Sequence, residues 1–425
     1  MSTIGSWMQT VAVGALVVTQ TGKATWAVLV AAGAFLPIGL LSPVGGALAD
    51  RLPRRPVLML GNLAAAASAA LLAVVVAAGH DNPWALLALV TLQGSASALV
   101  GPFQQAILPD LVPRSEFLAA VSLNSAQFNF GRIVGPALAG ATVVAFGYPM
   151  AFVANAVSFL AVVLAVGFLR VAPPSGRADG LFASLRSGFT AARREPSCWA
   201  AIRAIAVVAF IASPFIALVP VMARHLSHGG PRVIAQTTAL LTTAQGVGAV
   251  AGALCLAPLA TRFGRGRVLS WSLFLLPPSL LAYSASQTRW WGMVTLFIVG
   301  LVYIGVLSGL STVVQLRAPA AYRGRVLSFF LVAPGVAYPL GSLVQGPIID
   351  RIGIGLTTAG TALALLLILT AVALLRPGIG RAITNGTDND GSGPLVPAGR
   401  IPGQGGQLDE RCGAGGGPHG DPGDD

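Results

Sequence analysis

Residues 24–49 read ATWAVLVAAGAFLPIGLLSPVGGALA, twenty-six positions without an Asp, Glu, Lys or Arg, and the six that follow, 50–55, read DRLPRR. As a helix, such a run is long enough to cross about 30 Å of hydrocarbon, and a basic cluster behind it holds that end in the cytoplasm. The alternation recurs along the chain. Residues 1–22, 57–79, 82–109, 204–223, 233–261, 268–288, 290–316, 326–349 and 352–375 are also free of charge. The run 133–169 is too long for one span and breaks at Gly147-Tyr148-Pro149. Extended back to about Phe117 it holds two spans, which gives twelve in all, with one arginine, Arg132, inside.

The composition agrees. Of 425 residues, 55% are hydrophobic and 9% are charged, against about one quarter charged in a soluble protein, so too few charges exist to coat a globule of this size. The net charge of +12 does not make a nucleic-acid surface, because its arginines are spread over many loops. Placing alternate loops on alternate sides puts Arg51, Arg54, Arg55, Arg114, the cluster from Arg170 to Arg203, Arg262, Arg265, Arg267, Arg317, Arg323, Arg325, Arg376 and Arg381 on one face. Lys23, Arg224, Arg232, Arg289 and Arg351 lie on the other. The first face is expected to be cytoplasmic, with both termini inside. Cys198, Cys255 and Cys412 have no paired spacing and predict neither a disulfide nor a metal site.

The expected fold is therefore an all-α membrane protein of twelve transmembrane helices in two pseudo-symmetric six-helix bundles. Residues 1–170 are the N-terminal half, 171–197 a cytoplasmic linker, 198–376 the C-terminal half, and 377–425 a Gly-, Pro- and Asp-rich disordered cytoplasmic tail. An offset of 211 positions relates the halves without gaps: it carries Arg51 to Arg262, Arg54 to Arg265, Gln104 to Gln315, Arg114 to Arg325, Gly135 to Gly346 and Pro136 to Pro347. The same offset carries the lead-in of the seventh span, near Cys198, to a place before Met1, so an upstream start is expected.

The loop Gly46-Ala47-Leu48-Ala49-Asp50-Arg51-Leu52-Pro53-Arg54-Arg55 resembles the signature loop of the major facilitator superfamily, with Pro53 where a glycine is usual. The resemblance implies that Asp50 latches the inward gate on a neighbouring helix N-terminus, while Arg51, Arg54 and Arg55 orient the loop. The fifth span carries Gly131, Gly135, Pro136 and Gly140, similar to the motif of that superfamily's exporters. With Gly346 and Pro347 in the eleventh span, these form the expected hinge and packing motif. Asn155-Ala156-Val157-Ser158-Phe159 and Arg323-Gly324-Arg325 sharpen the resemblance toward a bacterial subfamily of siderophore exporters and macrolide efflux pumps. Two features depart from it. Val90 stands where proton-coupled drug antiporters carry an arginine, and no acid lies near Ser6-Trp7-Met8.

Candidate cavity residues follow from polarity at span depth. Arg132, an ionisable group in mid-membrane, is a functional candidate by default and shares a helix face with Ser125, Asn129 and Pro136. Asn124 and Gln127 lie on the same span; Gln9, Gln93, Gln105, Gln245, Tyr303 and Gln345 are further polar side chains at span depth; Gln104 and Gln315 are paired by the repeat; Trp7 is the tryptophan placed to meet cargo. The expected function is export of an amphiphilic small molecule (drug, siderophore or secondary metabolite) by alternating access. The protein is expected to act as a monomer in the bilayer of the bacterial inner membrane, without a cofactor or nucleic acid and driven by a proton gradient. Two alternatives stay open: a nutrient or metabolite importer on the same fold, and a non-transporting sensor acting through the tail. An enzyme is not expected, since no nucleophile and base, carboxylate pair or metal cluster occurs at usable spacing.

Overall fold

Where backbone amides have no water to bond to, a chain this apolar must satisfy them within helices, and the computed structural model holds helices and their connecting turns, without a strand, among its described residues, 2–49, 51–108, 111–169, 181–227, 229–319, 322–375 and 378. The first half holds α1 (Ser2–Thr21), α2 (Ala24–Ala49), α3 (Arg54–Ala77), α4 (Pro83–Ile107), α5 (Phe117–Phe146) and α6 (Tyr148–Phe168). A short 3-10 turn, Arg114–Glu116, precedes α5. After α7 (Leu181–Arg194) come α8 (Pro196–Ile211), α9 (Phe215–Leu226), α10 (Pro231–Phe263), α11 (Arg265–Ser284), α12 (Arg289–Arg317), α13 (Arg323–Ile352) and α14 (Ile354–Leu375). Eleven stretches among the described residues are long and apolar enough to cross a membrane, with α8 and α9 counted as one. The remaining bundle helix is α11, whose apolarity is diluted by Arg265, Arg267 and the buried Pro277. Leu164, Phe168, Leu254, Leu331, Leu356 and Leu367 are all at least 66% exposed, as side chains that face lipid should be.

Three expectations need correction. The seventh span is not one helix: Pro214 has no N–H to give to the Phe210 carbonyl, and the chain breaks between α8 and α9. Gln345 of α13 fills the gap, its Nε2 donating to the carbonyls of Ile211 at 2.9 Å and Phe210 at 3.4 Å.

The segment 171–197, expected as a linker, carries a helix among its described residues, 181–197. Within it, α7 presents Phe189 edge-on to Trp199 and Phe329, while Arg186, Arg193 and Arg194 are exposed. Arg325 at the start of α13 donates to Ser187 at 2.9 Å. The apolar positions recur with helical spacing, a signal that composition alone hides.

The third correction concerns the repeat. α11 has 20 residues against 24 in α3, and its following turn is one residue shorter. From α4 onward the offset is therefore 206 and not 211. Gly94 leaves room for the Ala34 carbonyl of α2, and Gly300 does the same for Gln245 of α10. The bounds of α5 and α13 agree with this shift, as do Gly147 (φ 85) and Gly353 (φ 88), where each helix turns sharply into the next. Gly135 thus matches Gly341, each against the first span of its own half, and Gly140 matches Gly346, each against the other half. The pairs Gln104 with Gln315 and Gly135-Pro136 with Gly346-Pro347 are not structural equivalents.

Candidate functional site

A cavity of about 570 Å³ lies in the middle of the bundle. It is walled by α1, α2, α3 and α4 of the first half, with Phe128 of α5 and Phe159 of α6, and by α9, α10 and Tyr338 of α13 from the second. Its lining reaches Ser2 and Thr3 at the start of α1, Asn62 in α3 and Gln104 near the end of α4, all toward the arginine-rich face.

Three amides from separate helices meet at its wall. Asn155 of α6 donates from Nδ2 to Gln9 Oε1 at 2.7 Å, and Gln9 of α1 donates from Nε2 to Gln93 Oε1 of α4. All three are buried. An amide left unpaired in an apolar interior costs roughly 1–3 kcal/mol, so the chain of bonds both satisfies the groups and ties α1, α4 and α6 in one register. Gly5 lets α6 come close enough, since a methyl there would lie 2.5 Å from Asn155 Oδ1.

The opposite face is closed. Asp350, in the last turn of α13, accepts from the backbone N–H groups of Ala24 at 2.6 Å and Thr25 at 3.1 Å, and from the Thr25 hydroxyl. A carboxylate at the C-terminal end of its own helix is electrostatically misplaced, but here it caps the N-terminus of α2, where the dipole and unpaired donors favour it. The halves also meet at Tyr148, whose hydroxyl donates to the Pro231 carbonyl at 3.2 Å. Gly14 packs on Pro220, Gly140 on Ala239 and Gly346 on Thr25 and Val28. Nearer the basic face Leu123, Phe128 and Phe130 of α5 are more than half exposed. This is a two-half bundle with a central cavity open at one end and latched at the other.

Comparison with known proteins agrees with that architecture. The model of the family described as transmembrane secretion effector, within the major facilitator superfamily, matches residues 1–391. The chain belongs to this family. A transporter of the same superfamily from Bacillus subtilis, YfiS, is 28% identical over 374 residues, covering 84% of this chain and 86% of that one. The multidrug efflux pump Tap of Mycolicibacterium fortuitum is 26% identical over 381 residues, 88% and 92% of the two chains. A solved structure of a bacterial homologue of the human lysosomal transporter Spinster superposes with a TM-score of 0.67 at 16% identity, over 92% of this chain and 96% of the other. The protein is thus a multi-pass membrane transporter and not an enzyme.

In this secretion effector the residues singled out from sequence are distributed unevenly about the cavity. Trp7 and Gln104 line it. Arg132 lies outside the lining, its guanidinium 5.9 Å from the centre of the Trp7 ring; the hydroxyl of Tyr303 in α12 pairs with Ser213 at 2.7 Å. Gln127 donates to the Thr3 hydroxyl at 3.0 Å and so ties α5 to α1. Asn129 bonds the Ser125 carbonyl within its own helix, and Gln315 bonds Ser311. Gly131 and Gly135 pack on Thr3 and Trp7 of α1, and Gly140, on the other side of the helix, meets α10 across the halves, so α5 is clasped between the two.

Of the signature loop, Asp50 lies outside the described residues. Arg51 is exposed. Arg54 donates to the Ala106 carbonyl at 3.0 Å and Arg55 to the Gly167 carbonyl, so both cations sit at the C-terminal ends of α4 and α6 and orient the loop within its own half. Around Gly46 there is open space. In the second copy the turn is made by Gly264 at φ 87, the position occupied in the first by Pro53.

In the sequence Gln9 and Gln93 stand singly, and nothing joins them to Asn155, although a lone asparagine in an apolar span is the signal that a partner exists. Asp350 reads there as an ordinary helix-end charge; its place at the wrong pole of α13 is the clue to its role.

Proposed function

We propose that the protein exports an amphiphilic small molecule across the bacterial inner membrane by alternating access. The observation that carries this reading is the cavity, open toward the arginine-rich face and closed on the other by Asp350 and the α2 N-terminus. With the arginine-rich face in the cytoplasm, as the positive-inside rule requires, this state is ready to load from inside. Both termini are then cytoplasmic, the protomer works alone, and a proton gradient drives the return. The Tap relative, an efflux pump by name, supports export over uptake.

The experiment is dye transport in inverted membrane vesicles of cells with and without the protein. Energised inverted vesicles should accumulate a lipophilic dye several-fold above the control, and collapse of the proton gradient should abolish the difference. Accumulation only in right-side-out vesicles would reverse the direction.

Asp50→Asn supplies a second check. A latch of this kind stabilises the state opposite to the one described here, so its loss should slow turnover about fivefold to thirtyfold, the equivalent of about 1–2 kcal/mol, with normal membrane insertion. Wild-type rates in the variant would remove Asp50 from the gate.

A further inference from the structure

The cavity has walls without charge. Among the described residues that line it there is no Asp, Glu, Lys, Arg or His, while Gln9, Asn62, Gln93, Gln104 and Tyr338 supply amide and hydroxyl groups. The acidic residues among the described ones, Asp81, Glu116, Glu195 and Asp350, lie in connecting turns or at helix ends, Asp350 being the one set within the last turn of a bundle helix. Arg132 is held against Trp7 and is not part of the lining.

Two donors remain uncommitted at the wall. In the amide chain Asn155 gives to Gln9 and Gln9 to Gln93, so the Nε2 of Gln93 is left at the end, with no hydrogen bond among the described residues. The Oη of Tyr338 is buried without a partner, and its ring stands edge-on to Phe35 at 5.6 Å, a second lining residue. Gln93 belongs to the first half and Tyr338 to the second. An unpaired donor in an apolar cavity calls for an acceptor, and an ion brought there without a counter-charge loses its hydration for no return.

We infer that the cargo is an uncharged amphiphile bearing carbonyl or ether oxygens, read by Gln93 from one half and Tyr338 from the other. The inference rests on this cavity being the transport site of the exporter proposed above. It separates this protein from carriers that need a membrane carboxylate for cationic drugs or a basic cluster for polyanionic chelates.

The test is equilibrium binding to the full chain in lipid nanodiscs, with empty nanodiscs subtracted. Three apolar probes of comparable size are used: progesterone (uncharged, two carbonyls), tetraphenylphosphonium (cation) and tetraphenylborate (anion). Progesterone is expected to bind at least about tenfold more tightly than either ion. Gln93→Leu and Tyr338→Phe should each weaken it by about fivefold to tenfold. Gln93→Glu keeps an oxygen for Gln9 and should raise tetraphenylphosphonium affinity about tenfold or more, a gain that a merely misfolded variant would not show. Equal or tighter binding of either ion by the wild type, no binding of any probe, or indifference of all three variants would overturn the inference. Vesicle transport keeps the two readings apart. Progesterone bound but moved in neither direction defeats the exporter, whereas tetraphenylphosphonium bound and exported by the wild type defeats only the uncharged cargo.

Discussion

Replacing Asp350 with alanine should open the closed face of the transporter. The carboxylate accepts two backbone N–H groups and one hydroxyl from the start of α2, and together these form a charged contact between the halves on that side. Hydrogen bonds to a charged group contribute roughly 1.5–3 kcal/mol each when buried, and less here because Asp350 is exposed. A net loss of about 1–2 kcal/mol shifts the equilibrium between the two gate states about fivefold to thirtyfold.

The readout is the substitution Val28→Cys, made in a chain whose Cys198, Cys255 and Cys412 have been replaced by serine. Val28 is 0% exposed and packs against Gly346 in this state. Labelling of the introduced thiol by a membrane-impermeant maleimide from the face opposite the arginines should rise by that factor in Asp350→Ala and less in Asp350→Asn, which keeps one acceptor oxygen. Transport should fall in the same order. Unchanged labelling would mean that apolar packing of α13 on α2 closes the face without the carboxylate.

Gly341→Val is expected to do more than shift a balance. A side chain on Gly341 would overlap the carbonyl oxygen of Phe210, the very group that Pro214 leaves without an intrahelical donor. One turn along α13, Gln345 supplies the missing bond to Ile211 and Phe210. Displacing α13 to fit a valine therefore strains the packing and strips two carbonyls of their donor at once. Each effect costs roughly 1–3 kcal/mol, for a total of about 3–5 kcal/mol. The thermal midpoint of the detergent-extracted protein should drop by about 10 °C, or monodisperse protein should vanish. Gly46→Ala and Gly324→Ala are the matched controls, because nothing lies within 4 Å of either position, and both should melt with the wild type. Equal stability of Gly341→Val would show that the break between α8 and α9 tolerates water or an alternative partner.

Most of the architecture was legible in the amino acids. The long apolar runs became helices, the seventh in two pieces, and the stop at Gly147-Tyr148-Pro149 fell where α5 turns into α6. Glycines at 131, 135 and 140 were read as a hinge and packing motif; each lies against another helix, α1 for the first two and α10 for the third, partners that could not be named in advance. The gapless repeat misled because arginines at helix ends recur wherever a membrane ends. Arg114 and Arg325 matched at an offset of 211 while the helices around them are related by 206, after α11 has lost a turn relative to α3. That slip moved Gln315 into a symmetry with Gln104 that the fold does not have.

What the sequence determines by itself is the number of spans, their ends and the basic face. These are local consequences of burying a backbone in hydrocarbon and of where arginine is tolerated. What only the tertiary structure decides is which distant groups meet. Gln9 finds Gln93 across 84 positions and Asn155 across 146, and Thr25 finds Asp350 across 325. A polar group in an apolar span must have a partner, but its own neighbours do not say which one; helix packing, set by glycines and by a helix one turn short, makes that choice.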